Sequence, residues 1–130
     1  MKEKVNWLDR RVAHPGPYLC LVLSEAEHAQ AMKQCKVTHF SPWVRPNADA
    51  TTHTIANAAG ELVCVVALSP RGTPSGIEIA GLLVHEAVHV WQEYCARIGE
   101  RATGAEQEAY AVQGIAHELM AEYARRLEIA

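Results

Sequence analysis

Residues 75–99 are the segment that most restricts the fold, because they carry signals for one long helix at both ends and an apolar pattern between them. Ser75 and Glu78 form a capping box, in which the side chain of each residue accepts a hydrogen bond from the backbone N–H of the other. Gly99 follows the last periodic residue, where helices commonly end in a left-handed conformation. Apolar residues fall on most sides of this helix, which is typical of a central helix rather than a superficial one.

The rest of the chain is predicted to form short strands and two further helices. The signals predict a strand at 18–23, a helix at 24–36 begun by a Ser24–Glu27 capping box, a hairpin of strands 51–56 and 61–68, and a final helix from a Thr103–Glu106 capping box to about Leu127. Residues 1–17 are expected to be an irregular lead-in. Residues 1–130 are therefore predicted to be a single α+β domain, with a short sheet and a β-hairpin packed on two long C-terminal helices.

The composition is that of one ordinary domain. The chain has 130 residues, 49% of them apolar and 21% charged, which is enough to bury a core. Its net charge of −3 gives no indication of nucleic acid or an anionic membrane as a partner. No stretch has the roughly 18 apolar residues that span a bilayer, and the N-terminus lacks the apolar core of a signal peptide. The four cysteines are widely spaced, which predicts free thiols and a cytoplasmic location.

The helix at 75–99 contains the motif His-Glu-x-x-His, as His85, Glu86 and His89. Side chains four residues apart lie on the same face of a helix, so the two imidazoles can share one metal ion. Glu86 lies about 100° round the helix, near enough to reach a metal-bound water without being a ligand. Zinc lowers the pKa of such a water, and a neighbouring carboxylate can accept its proton. Two buried histidines can also simply bond to backbone carbonyls, but the helical context favours a zinc ion.

A third ligand is expected elsewhere, since catalytic zinc usually has three protein ligands and a water. Gln92 and Cys95 stand where the extended motif His-Glu-x-x-His-x-x-Gly-x-x-His requires glycine and histidine, which excludes that arrangement. The final helix offers Glu106 and Glu108. Glu106 is accounted for by the capping box with Thr103, whereas Glu108 shares a stripe with apolar residues that should pack on the motif helix. A carboxylate on a core-facing stripe needs a partner, which favours Glu108.

With Glu108 further along the chain, His85-Glu86-x-x-His89 resembles the site of the gluzincin metallopeptidases, whose type is the thermolysin-like His₂Glu zinc site. The resemblance covers residues 75–127 and extends, more generally, to small phage- or bacterium-encoded metallopeptidase-like proteins. It implies a minimal zincin-like fold and a zinc metallopeptidase acting on a peptide or protein substrate. His85, His89 and Glu108 would bind one zinc ion, and Glu86 would be the general base and proton shuttle.

Two further features follow from this resemblance. The exposed edge strand of the hairpin would pair with an extended peptide by strand addition. The family often has an acidic residue four positions after the glutamate ligand, where it orients a ligand histidine, but here that position is Val112. Gln113, a backbone carbonyl or another residue would have to orient the histidine instead.

Two other interpretations stay open. One is a zinc-binding protein that catalyses no reaction and binds a partner through the edge of the hairpin. A purely structural zinc site, however, would not need Glu86. The other is a metal-free helical interaction module.

Five side chains outside the motif complete the expectations. His53 is expected at the surface rather than in the cleft. Trp91 is expected in the core, as is Tyr110 with its hydroxyl at the edge. The basic pair Arg125 and Arg126, near the end of the final helix, suits the helix dipole and needs no ligand.

Overall fold

This computed structural model describes residues 4–8 and 16–129, which contain three strands and three helices. In chain order they are β1 (Tyr18–Val22), α1 (Glu25–Gln34), β2 (Ala50–Ala56), β3 (Leu62–Leu68), α2 (Gly76–Ile98) and α3 (Ala105–Ile129). The type and order of these elements agree with the sequence prediction, and their bounds agree within two residues. The α+β class is therefore confirmed. None of the helices in these ranges is both long enough and apolar enough to cross a membrane.

The three strands form one sheet in the order β1–β3–β2. The central strand, β3, runs parallel to β1 and antiparallel to β2. Residues 63–68 of β3 are all buried, because the strand has a neighbour on each side and helices over both faces. This position explains why its sequence is continuously apolar rather than alternating. β2 is the last strand in the order β1–β3–β2, so it is an edge strand of the sheet.

The hairpin between β2 and β3 closes through the predicted turn. The side-chain oxygen of Asn57 accepts hydrogen bonds from the backbone N–H groups of Ala59 and Glu61, at 3.0 and 2.9 Å. Gly60 has a φ of +79°, in the left-handed region that glycine adopts without steric cost. These contacts fix the register of the hairpin, and with it the face on which each β2 side chain lies.

The helices cover opposite faces of the sheet. α1 packs on one face, against a core that contains Cys20, Val22, Ala31, Met32, Val63, Val65 and Ala67. α2 and α3 pack on the other, against a core that contains Leu19, Leu21, Cys64, Val66, Leu68, Leu83, Val90, Ile115 and Leu119. The alternate residues of β1 and β3 therefore divide between the two cores. The motif helix α2 lies on the opposite side of the sheet from α1.

α2 has the predicted ends but is less enclosed than expected. Ser75 and Glu78 form the reciprocal capping box, and Gly99 ends the helix with a φ of +76°. The sequence predicted a central helix, whereas one stripe of its apolar residues faces solvent. Ile77 is 86% exposed, and Val84 and Val88 in the same stripe are also exposed. The sheet and α3 cover only two sides of the helix, which leaves this stripe and the motif histidines at the surface.

α3 begins later than its predicted capping box. The backbone N–H of Glu108 bonds to the carbonyl of Gly104 at 3.0 Å, so Gly104 stands at the N-cap position. The prediction that Thr103 and Glu106 open this helix is therefore wrong, because the frame of a capping box requires the N-cap residue itself to carry the hydroxyl. The capping argument thus gives no separate explanation for Glu106.

A buried ion pair joins α1 to the end of α3. Glu27 is buried and takes two hydrogen bonds from the Arg126 guanidinium, at 2.8 and 2.5 Å. The sequence predicted only a favourable interaction of Arg126 with the helix dipole and did not predict this ion pair. Ser24 caps α1 by accepting from the Glu27 N–H, but the Glu27 carboxylate accepts from the N–H of Leu23 instead of completing the predicted box.

A second buried carboxylate lies on α3. Burial raises the pKa of Glu122, but hydrogen bonds from Arg125 and from the Asn6 side chain outweigh burial and hold this pKa below its usual value. Glu122 is therefore ionised at neutral pH and joins Asn6 to α3.

The lead-in is irregular where the structure describes it, as predicted, apart from one isolated bridge to the sheet. Residues 1–3 and 9–15 lie outside the described residues. Trp7 forms an antiparallel bridge with Cys20, and the N–H of Leu8 bonds to the carbonyl of Leu19 at 2.8 Å. The Trp7 indole also donates to Gln34 on α1. Trp7 and Leu8 thus lie beside β1, on the edge opposite to β3.

Candidate metal centre

His85 and His89 lie one turn apart on α2, and their side chains converge. Their Nε2 atoms are 3.2 Å apart, with ring centroids separated by 4.9 Å. Two unprotonated ring nitrogens at this distance would repel each other, so either a proton or a cation must lie between them. The pair is therefore arranged as two ligands of one metal ion would be.

Gln92 determines which nitrogen of His89 carries the proton. The amide oxygen Oε1 of Gln92 lies 3.0 Å from Nδ1 of His89. With the amide assigned in this orientation, Nδ1 must be the donor, which leaves Nε2 of His89 with its lone pair. A hydrogen bond to the second ring nitrogen is the usual way in which proteins orient a metal-binding histidine. Sequence reasoning considered Gln113 for this task and missed Gln92, although its spacing of three residues from His89 on one helix was a readable signal.

Glu86 is turned from the histidines toward the sheet. Its side chain is only 5% exposed, and its Oε1 accepts a hydrogen bond from the Thr52 hydroxyl of β2 at 2.8 Å. A buried carboxylate without a donor would be costly, so this contact explains how the charge is accommodated. Thr52 was not among the predicted site residues, because pairing between a strand and a helix far along the chain leaves no local pattern.

A cavity of about 190 Å³ lies where α2 meets β2 and the loop before it. It is lined by Thr52, His85, Glu86 and His89, together with the charged residues Arg45 and Glu93. A second cavity of about 550 Å³ shares His85 and Glu86 and extends toward the start of α2. The motif residues therefore line two neighbouring cavities beside the edge strand, and we refer to the smaller, more polar one as the cleft.

Glu108 lies at the junction of α2 and α3. It is exposed and lines a cavity of about 730 Å³ together with Gln92 and Cys95. Burial, followed by the charges of Glu108 and Glu100, raises the pKa of the Cys95 thiol, which places Glu108 near that residue. Within residues 4–8 and 16–129, no group of three or more His, Cys, Asp or Glu side chains is close enough to hold a metal ion. The structure thus brings His85 and His89 together but does not group Glu108 with them.

Glu108 shares a face of α3 with buried apolar residues, as predicted, but its own position on that face is exposed rather than in the core. Ile115 and Leu119, two and three turns further along this face, are completely buried against α2 and the sheet. Glu106 lies about 200° round the same helix and is exposed. Glu108 is therefore the glutamate of this pair that lies on the packing face.

The remaining sequence-based candidates lie away from the cleft. His53 is on the α1 face of the sheet, where its Nε2 is 2.8 Å from the carbonyl of Trp43 and its ring lies tilted against that of His28, with the ring centroids 4.4 Å apart. Tyr110 is 68% exposed, so the prediction that it packs in the core is wrong. Trp91 is buried, as predicted.

Comparisons with protein-family models, with curated proteins and with solved structures found no match to this chain. What the site can do is therefore argued from its own groups.

Proposed function

We propose that the protein is a zinc-dependent peptidase or a related amide hydrolase with a minimal zincin-like, gluzincin-type site. The observation that carries the proposal is the convergence of two imidazole nitrogens, 3.2 Å apart, beside a buried carboxylate in one polar cleft. A structural zinc site would be closed by four protein ligands, whereas two histidines open to a cleft leave room for a substrate.

His85 and His89 would hold the zinc ion through their Nε2 atoms, with Glu108 as the third ligand. The His89 tautomer set by Gln92 suits this role, because it leaves the converging nitrogen unprotonated. Zinc, when bound, lowers the pKa of a water ligand and polarises a carbonyl group. Glu108 would have to turn from the α2–α3 junction toward His89 to complete the set.

Glu86 would accept the proton of the attacking water and pass it to the leaving amine. Glu86 lines the same cavity as both histidines, which supports this role because a general base must lie within reach of the attacking water. The edge strand β2 borders this cavity through Thr51 and Thr52. An extended peptide paired with β2 would therefore pass the histidines, which supports a peptide or protein as substrate. A cytoplasmic location remains a prediction, and all four cysteines are free thiols in the structure.

The proposal is tested by two measurements on the purified protein. We expect one zinc ion per chain by elemental analysis, and metal-dependent cleavage of a random peptide library that is lost on chelation and restored by zinc. Absence of bound zinc after incubation with the metal would leave the metal-free interaction module as the better interpretation.

A zinc-binding interaction protein without turnover is the second candidate. The exposed stripe of Ile77, Val84 and Val88 beside the histidines favours it, because such a surface can bind a partner. One bound zinc ion together with no cleavage of any library peptide would support this candidate over the hydrolase.

The identity of the third ligand is tested by two matched substitutions on α3. We expect Glu108→Gln to weaken zinc binding about tenfold or more, because it removes a charged ligand. Glu106→Gln is the control: it makes the same chemical change on the opposite, exposed side of the helix, and should leave the affinity unchanged. Zinc titrations against a competing chelator measure both. Loss of affinity in Glu106→Gln alone would contradict the assignment, and negligible effects in both would mean that the site is completed from another part of the chain.

A further inference from the structure

Thr52 brings a hydroxyl from β2 to the carboxylate of Glu86 on α2. Its Oγ1 lies 2.8 Å from Oε1 of Glu86 and 3.5 Å from the backbone oxygen of the same residue. A hydroxyl has one proton, and the shorter contact to a charged acceptor takes it. In the ranges that the structure describes, Thr52 is the one hydrogen-bond donor to this carboxylate. The bond therefore sets the direction of the Glu86 side chain.

The second oxygen of Glu86, Oε2, is left available by this arrangement. Among the described residues, the one fully buried side-chain nitrogen or oxygen without a partner is Nδ1 of His28. Oε2 of Glu86 also has no partner among these residues but is not one of the fully buried atoms, so it must be in contact with solvent. Glu86 lines the cavity that it shares with His85 and His89 and also the neighbouring one that it shares with His85, so these cavities are where solvent reaches the residue.

The strand holds Thr52 in place through its pairing with the centre of the sheet. Thr52 lies opposite Val66 of β3. Because Val66 is buried in the core that β3 forms with α2, Thr52 lies on the α2 side of the sheet. Thr54 follows on the same side two residues later but is exposed, and lies opposite Cys64. The chain thus offers a threonine with the contact and a matched threonine on the same strand face without it.

We propose that Thr52 is a positioning residue for the general base. Its hydroxyl holds Oε1 so that Oε2 is directed into the cleft, where a proton must be accepted. This inference rests on the proposed hydrolase function. It adds that the strand expected to bind the substrate backbone also orients the base.

The kinetic test compares Thr52→Val with Thr52→Ser and Thr54→Val in the zinc-loaded protein, using a peptide found to be cleaved. Valine keeps the shape of threonine and removes the donor, so we expect kcat to fall about ten- to a hundredfold while KM and the zinc affinity stay unchanged. Serine keeps the donor and should restore most of kcat. Thr54→Val should leave all three quantities unchanged.

A second readout needs neither zinc nor substrate. Urea unfolding of the metal-free protein is measured for Thr52→Val, Glu86→Ala and the double variant. If the bond forms, Thr52→Val should shift the unfolding equilibrium about tenfold when Glu86 is present and much less when it is alanine.

The outcomes separate this inference from the proposed function. No coupling between the two positions, or a normal kcat in Thr52→Val, would overturn the positioning role while leaving the hydrolase in place. A wild-type protein that cleaves no peptide would overturn both, and coupling would then identify the bond as purely structural.

Discussion

His89→Ala is expected to lower the affinity for zinc by more than about a hundredfold, since changes to groups that merely support a ligand already cost about ten- to a hundredfold. The converging Nε2 atoms of His85 and His89 supply the paired ligands, and removal of one leaves a single nitrogen. Because zinc binds only the folded site, the wild-type protein should also melt at a higher temperature with zinc than with a chelator, and the variant should not. Competition titrations and thermal melts measure the two effects.

His117→Ala is the control for this substitution. His117 is an exposed histidine on α3, so its loss should change neither the affinity nor the zinc-dependent melting shift. Equal zinc affinity in His89→Ala and in the wild-type protein would show that His89 does not bind zinc and would refute the proposed metal site. The buried stretch of α2 around Leu83 and Val90 does not include His89, so the apoprotein of this variant is expected to remain folded.

The elements of the fold could be predicted because each has a local signal. The capping box of Ser75 with Glu78, the left-handed Gly99 and the Asn57–Gly60 turn depend on residues within a few positions of one another. The misplaced start of α3 shows the limit of such signals, because Thr103 and Gly104 are both acceptable N-cap residues and only tertiary packing decides between them.

What the sequence could not provide were the contacts between distant segments. The pairing of Glu27 with Arg126 joins positions far apart in the chain, and no spacing rule connects them. The solvent exposure of Val84 and Val88 was missed for a related reason: periodicity shows which residues share a face but not whether another element covers it.

The candidate site likewise contains residues that the sequence could predict and residues that it could not. The spacing of His85 and His89 dictates their convergence on any helix, so the sequence was sufficient for them. Thr52 could not be found, because its role depends on the register of β2 against β3 and on the docking of α2 over that strand. For Glu108 the sequence predicted the correct face of α3, but the distance to the histidines depends on the angle between two helices, which no sequence pattern encodes.

Glu86→Gln is expected to keep zinc and lose hydrolysis. The amide oxygen of glutamine can still accept the hydrogen bond of the Thr52 hydroxyl, so the fold and the two imidazoles should be undisturbed. An amide cannot accept a proton from water at neutral pH, and loss of a general base typically lowers the rate about a hundred- to ten-thousandfold. The matched control for this substitution is Glu93→Gln, because Glu93 is an exposed carboxylate on the same helix and lines the same cavity. Glu93→Gln should retain near-normal turnover, which separates loss of the base from loss of negative charge in the cleft. Zinc content and kcat on one peptide are measured for both variants. Near-normal kcat in Glu86→Gln would mean that another group accepts the proton, whereas an equal fall in both variants would show that the charge of the cavity, rather than the position of Glu86, controls the reaction.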